Sequence, residues 1–227
     1  MVREIRDLLN EFNIHTEDRK LYQRAFTHPS FVNEKKSSNG DYERLEFIGD
    51  GVLDLTVADI VYRLYPSLNQ GDLSKIRINF VNGKTLAMYA RKYKMESLIL
   101  MGHGQTINGG PNDKILEDVF EAFIGAIYLD KGYDFVYNII NEIFYEDINN
   151  VPMNFLKDYK SQLQEYVQAD TRNCVTYRVV SETGNPPNTE FVVEVMWDNQ
   201  VYGQGKGPSK KKAEQEAAKD ALSKVAR

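Results

Sequence analysis

The sequence predicts two domains: an all-α domain followed by a small α+β unit ordered α-β-β-β-α. Three observations predict it. Apolar residues recur every three or four positions up to about residue 145, the spacing of helices with one buried face. After residue 174 they alternate by two, the spacing of half-buried strands. Between the two regimes lies a soft stretch, 146–154, holding Asn149, Asn150 and Pro152. The expected division is a first domain over 1–148, a linker over 149–154 and a second domain over 155–227.

The elements follow in order. The longest candidate helix covers 42–64, where Leu45, Ile48, Val52, Leu55, Asp59 and Tyr62 step by three or four. Further helices are expected over 72–81, 84–92, 115–130 and 133–145. Gly83, Gly102, Gly109, Gly110, Pro111 and Gly132 punctuate them. No strand pattern occurs in this part. In the second part, 155–168 reads as a helix, and 175–179 and 191–197 as strands. Asp198-Asn199 is a two-residue hairpin turn leading into Gln200-Val201-Tyr202. An Ala-rich helix over 209–225 closes the chain.

Composition narrows the class. Of 227 residues, 42% are hydrophobic and 27% charged, as in globular proteins and unlike disordered or low-complexity chains. The single cysteine, Cys174, has no internal disulfide partner, and with only three histidines a Cys/His zinc site is not expected. A reducing, cytoplasmic location is expected. The longest apolar run, 122–129, is far short of the roughly 20 residues that span a bilayer, so no membrane partner is expected. Residues 1–154 carry 17 basic against 23 acidic side chains, net −6, while 155–227 carry 11 against 10, net +1. That balance disfavours general polyanion binding, but local clustering decides the question.

The first domain places carboxylates where stability alone would not. Glu43, Glu46 and Asp50 stand at i, i+3 and i+7, one face of a helix. Asp118 and Glu121 form a second i,i+3 pair inside a strongly apolar helix. Like charges at this spacing repel, and burying them costs several kcal/mol each without a cation. Only Arg44 and Lys114 stand near in sequence. A hard divalent cation with oxygen ligands, Mg²⁺ or Mn²⁺, would satisfy such a cluster. A solvated acidic face is the competing reading, since spacing cannot show that the two helices meet. Gly49 and Gly125 supply small residues for close packing. A di-iron bundle is disfavoured because it requires Glu-x-x-His pairs, and the sequence has none.

The run Glu43-Arg-Leu-Glu-Phe-Ile-Gly-Asp50, followed by Val52-Leu53, closely resembles the signature of the ribonuclease III family. Three satellites keep the family order: Ala25-Phe-Thr-His-Pro-Ser30, Gly71-Asp-Leu-Ser-Lys-Ile-Arg77 and Asp118-Val-Phe-Glu121-Ala-Phe-Ile-Gly-Ala126. The resemblance covers roughly 5–148, and the remainder resembles the double-stranded-RNA-binding domain that bacterial members append. It implies a homodimeric endoribonuclease that cleaves double-stranded RNA with Mg²⁺ (Mn²⁺ substituting) in RNA processing and decay. The products carry 5′-phosphate and 3′-hydroxyl ends, and no small-molecule cofactor is implied. By position, Glu46, Asp50, Asp118 and Glu121 match metal-binding carboxylates, with Asp50 and Glu121 catalytic. Glu43 matches an acidic position at the RNA-facing edge, and Phe47 an aromatic of the dimer interface. A metal can supply nucleophile activation and charge stabilisation together, so no histidine or serine base is assigned. His28 is read as structural, and Asp54 as either outer support for the site or a solvated residue.

In the first domain two positions depart from the family. Gln70 stands where a Glu is usual, and Gly51 replaces a Ser or Ala, a change expected to matter for helix packing alone. Gln70, together with an altered loop over 184–191 in the second domain, motivates the alternative reading: a non-catalytic double-stranded-RNA-binding protein on the same fold.

In the second domain, Lys210, Lys211 and Lys212 follow the N-cap Ser209 in a first helical turn, where cations oppose the helix dipole. Phosphate is their natural partner. The resemblance assigns Lys210 and Lys211 to phosphates across the major groove, and Gln162 and Glu165 to the minor groove. The loop over 184–191 departs from the family, with Pro187 where a His is common and Glu190 where a basic residue is common.

Overall fold

The computed structural model describes residues 3–36, 39–107, 109–152, 158–170, 174–184 and 188–225. The chain divides into two compact units, Met1–Val151 and Pro152–Arg227.

The first unit is helical: α1 (Ile5–Glu11), α2 (Arg19–Ala25), α3 (Pro29–Lys35), α4 (Glu43–Leu64), α5 (Gln70–Val81), α6 (Gly83–Lys92), a 3₁₀ turn (Met95–Leu98), α7 (His103–Ile107), α8 (Asp113–Lys131) and α9 (Tyr133–Asn149). Asparagine starts three of them. The side chains of Asn69, Asn82 and Asn112 accept from the backbone amides of Asp72, Thr85 and Ile115, satisfying orphan donors of the first turn. The short helices α1, α2, α3 and α7 have no counterpart in the sequence reading. Seven residues or fewer give too few repeats for a period to show.

α8 is the central helix. From Ile115 to Ile127 nearly every side chain is buried. Phe123 meets the rings of Phe12, Tyr22 and Phe26, and Phe120 those of Tyr89 and Phe144. α4 lies against it and buries Leu45, Gly49, Val52, Leu53, Thr56, Val57, Ile60 and Val61. This corrects the expected stripe, because Leu55 and Tyr62 point outward, 59% and 69% exposed. α4 carries apolar residues on two faces, and period alone does not say which one a neighbour covers.

The soft stretch also begins later than expected. α9 continues through Glu146 and Asp147 to Asn149. Asp147 accepts from the Tyr89 hydroxyl, and the carbonyl of buried Ile148 accepts from Tyr65 Oη at 2.5 Å. Tertiary hydrogen bonds therefore hold the turn that composition marks as loose.

The second unit comprises α10 (Tyr159–Asp170), β1 (Thr176–Thr183), β2 (Glu190–Trp197), β3 (Gln200–Gly207) and α11 (Lys210–Val225). The three strands form an antiparallel sheet in the order β1-β2-β3. Asp198 and Asn199 both take positive φ, 50° and 61°, the conformation of a tight hairpin turn. Leu163 and Val167 of α10, Val195 of β2 and Ala217, Ala218 and Ala221 of α11 form the core. β3 runs five residues beyond the expected strand. Gly203, Gly205 and Gly207 alternate along its inner face, and a Cβ at any of them would overlap the α11 backbone. Strands are normally poor in glycine, which hid this one. Residues 155–157 of the expected helix and Pro187 lie outside the described residues.

Candidate metal centre

α4 and α8 cross where each carries a glycine. A Cβ on Gly49 would overlap the carbonyl oxygen of Glu121, and one on Gly125 that of Leu45. The backbones can therefore nearly touch, and side chains one to two turns away on either helix converge. One carboxylate oxygen each from Glu46, Asp118 and Glu121 lie within 4.8 Å of one another. Asp118 and Glu121 are 8% and 6% exposed, the only buried acidic side chains among the described residues. That excludes a solvated face for the α8 pair, whereas on α4 Glu46 is half-buried and Glu43 and Asp50 are exposed.

The remaining predicted residues stand around this trio. Asp50 is exposed and outside it, but lines a pocket of about 540 Å³ together with two of the trio, Glu46 and Glu121, and with Glu43, Phe47, Lys114 and Glu117. A larger hollow of about 740 Å³, lined by Arg3, Arg6, Arg19 and Lys131 among others, shares none of these residues. Phe47 projects outward, 81% exposed. Asp54 pairs with Arg77 at 2.5 Å and does not line the pocket. Gly51 packs against nothing within 4 Å, contrary to the expected packing role. Gln70 is exposed and donates to Ser74 Oγ at 3.2 Å.

Burial sets the electrostatics. It pushes the Glu121 pKa up to about 8, with the charges of Asp50, Glu117 and Glu46 adding to the rise. Glu46 is raised as well, by burial first and then by Asp118. His28 is lowered by burial. Its Nδ1 accepts from the Ser30 amide at 3.0 Å and caps α3, a structural role.

Three residues of the site were not assigned from sequence. Tyr42, just before α4, donates its hydroxyl to Asp118 Oδ2 at 3.2 Å. Lys114 Nζ lies 2.7 Å from Asp118 Oδ1 and 3.4 Å from Glu117 Oε2. The first of these is an ion pair without aligned hydrogen-bond geometry, since Oδ1 has no hydrogen-bond partner. Lys114 and Glu117 precede Asp118 by four and one residues, so the available signal was their place on the same helix. Three close oxygen donors, two of them buried and none of them sulfur or imidazole, suit a hard divalent cation.

The chain matches a family model described as ribonuclease-III-like over residues 18–148. It is 45% identical over 210 residues to Ribonuclease 3 of Bacillus cereus strain G9842, covering 92% of this chain and 86% of that protein. The chain belongs to the ribonuclease III family. Ribonuclease 3 of Bacillus anthracis strain CDC 684 is equally similar, 45% over 210 residues, with the same coverage of both chains. A crystal structure of the ribonuclease III nuclease domain from Campylobacter jejuni, at 34% identity and TM-score 0.59, covers 65% of this chain and 98% of that one. Residues 159–225 match the double-stranded RNA binding motif. This ribonuclease III is an endoribonuclease of double-stranded RNA, with a helical nuclease domain followed by an α-β-β-β-α binding domain.

In the binding domain, Gln162 and Glu165 are exposed on one face of α10. Lys210, Lys211 and Lys212 are exposed at the start of α11, where Ser209 Oγ accepts from the Lys212 amide at 3.3 Å. Lys210 Nζ lies 5.5 Å from the Phe191 ring centroid and 3.9 Å from Glu182. Glu190 opens β2 and is exposed. No helix among the described residues is long and apolar enough to cross a membrane.

Proposed function

We propose that this ribonuclease III hydrolyses the phosphodiester bonds of double-stranded RNA with Mg²⁺ (Mn²⁺ substituting), held by Glu46, Asp50, Asp118 and Glu121, and leaves 5′-phosphate and 3′-hydroxyl ends. The convergence of Glu46, Asp118 and Glu121 carries the reading. When bound, the metal supplies an activated water and positive charge against the phosphoryl oxygens. The chain's own residues do the rest. Asp118 is oriented by Tyr42, and Glu121 is buried on α8 with a carboxylate oxygen beside those of Glu46 and Asp118. Asp50 and Glu121 are the catalytic pair in this reading, and Glu43 borders the RNA at the pocket edge. Gln162, Glu165, Lys210 and Lys211 hold the duplex by its A-form shape, through 2′-hydroxyls and phosphates.

The active species is a homodimer. Phe47, Leu55 and Tyr62 expose a large apolar row along one face of α4. One Campylobacter jejuni structure concerns a region involved in dimer formation, with 36% identity to this chain and a TM-score of 0.58. Two centres per dimer account for cutting both strands. The lone exposed Cys174 accords with a cytoplasmic location.

The deciding experiment incubates purified protein with a long paired RNA, with Mg²⁺ or with chelator, beside a Glu121→Ala variant. Mg²⁺-dependent shortening by the wild type is expected, and the variant is expected to bind RNA without cutting it. Cleavage by Glu121→Ala would refute the site assignment. A monomer by light scattering at micromolar concentration would refute the dimer.

A further inference from the structure

Among the residues lining the carboxylate pocket, Lys114 alone carries positive charge. It stands one turn before Asp118, with its ammonium 2.7 Å from Asp118 Oδ1. Tyr42 already holds the other oxygen, Oδ2, at 3.2 Å. Both oxygens of a buried carboxylate at the heart of the cluster are thus engaged, one of them by a cation of the chain itself. The second feature is where that cation can go. Glu117 Oε2 is 3.4 Å from the same Nζ. Its carboxylate abuts Gly83, the first residue of α6, where a Cβ would run into it. Glu117 is thereby held outside the Glu46–Asp118–Glu121 trio, beside the positive end of a ten-residue helix. The Lys114 side chain is 64% exposed, so it can swing without disturbing the core.

We propose that Lys114 is a resident counter-cation of the metal centre: it neutralises Asp118 in the metal-free protein and is displaced onto Glu117 when a divalent ion binds. This rests on the metal-centre reading and deepens it. Lys114 and Glu117 together form an exchange device that sets the metal affinity. A positive charge a few ångströms from a divalent ion opposes its binding. The same charge relieves repulsion among Glu43, Glu46, Asp50, Glu117, Asp118 and Glu121 when no metal is present. Lys114 therefore trades metal affinity for stability of the empty site, and Glu117 lowers the cost of the exchange by offering the displaced ammonium a new partner. Both are positioning residues.

The test measures Mn²⁺ binding to the full-length protein by electron paramagnetic resonance of the free ion. The samples are wild type, Lys114→Met, Lys114→Gln, Glu117→Gln and the Lys114→Met/Glu117→Gln double variant, with Glu121→Ala as the control that assigns the signal to this centre. Lys114→Met and Lys114→Gln are expected to bind Mn²⁺ about tenfold more tightly, an estimate for a partly solvated charge pair. Both are also expected to melt at lower temperature in chelator. Glu117→Gln is expected to weaken binding, and to weaken it less when Lys114 is already Met, because part of its effect passes through the lysine. Unchanged or weaker binding in both Lys114 variants would overturn the proposal and leave the metal centre standing. A Glu117→Gln effect undiminished in the double variant would overturn the exchange onto Glu117. No Mn²⁺ binding by the wild type would overturn the metal centre and the proposal together.

Discussion

Gly49 and Gly125 face each other across the crossing of α4 and α8, each with its Cα against the opposite backbone. The site depends on this approach, because Glu46 is three residues from one glycine, and Asp118 and Glu121 are seven and four from the other. Alanine at either position must part the helices. We expect Gly49→Ala or Gly125→Ala to cost about 2 kcal/mol or more in urea unfolding, the scale of an overpacked core, and to weaken Mn²⁺ binding. Gly51→Ala is the control. Nothing lies near that position, and alanine in a helix interior gains about 0.5–1 kcal/mol over glycine. Equal effects at all three positions would contradict the crossing.

The contribution of Glu121 to the stability of the metal-free protein should fall as pH rises from about 4.5 to about 8. Burial raises Glu121 from 4.5 to about 8 in the folded state. Over that interval the folded chain keeps a proton that the unfolded chain has lost. The stabilising contribution is therefore complete below the unfolded value and lost as pH climbs through the folded one. Urea unfolding in chelator at pH 5.5, 7 and 8.5 measures it, and Glu121→Gln should show a shallower decline. Metal affinity should run the other way, rising with pH as the proton leaves. A variant that keeps the full wild-type slope would reassign the effect.

Tyr42→Phe removes one hydroxyl and leaves the buried ring in place. Asp118 Oδ2 then loses its donor. Partners of this kind typically contribute 10–100-fold to metal affinity, so a weakening of about tenfold is expected in a Mn²⁺ titration. The far-ultraviolet circular dichroism should stay unchanged. Wild-type affinity in the variant would show that Tyr42 merely packs.

Lys210→Ala/Lys211→Ala should weaken duplex RNA binding and leave the carboxylate centre untouched. Each phosphate contact releases about one counterion, so the slope of log K against log salt should fall by about two. Binding measured between 50 and 200 mM salt tests it. A parallel shift with unchanged slope would remove these lysines from the phosphate contacts.

The order of elements was legible in the sequence where the period was long and clear. α4 was expected over 42–64 and spans Glu43–Leu64, and the Asp198-Asn199 turn was readable from residue type alone. Short helices were not legible, nor was the extent of β3, whose glycines look unlike a strand until α11 is laid against them. The outward turn of Leu55 and Tyr62 had the same cause, since a two-faced helix does not say which side its neighbour covers.

By itself the sequence determined the fold class, the two-domain order and a short list of carboxylates, because periodicity and residue type are local properties of a chain. Only the tertiary structure decided which of those carboxylates meet. Glu46 and Glu121 are 75 residues apart, and what brings their oxygens within 4.8 Å of each other and of Asp118 is a backbone crossing made possible by two glycines. Tyr42, Lys114 and Glu117 entered the site for the same reason. Their side chains are unremarkable in sequence and acquire a role through what the fold places a few ångströms away.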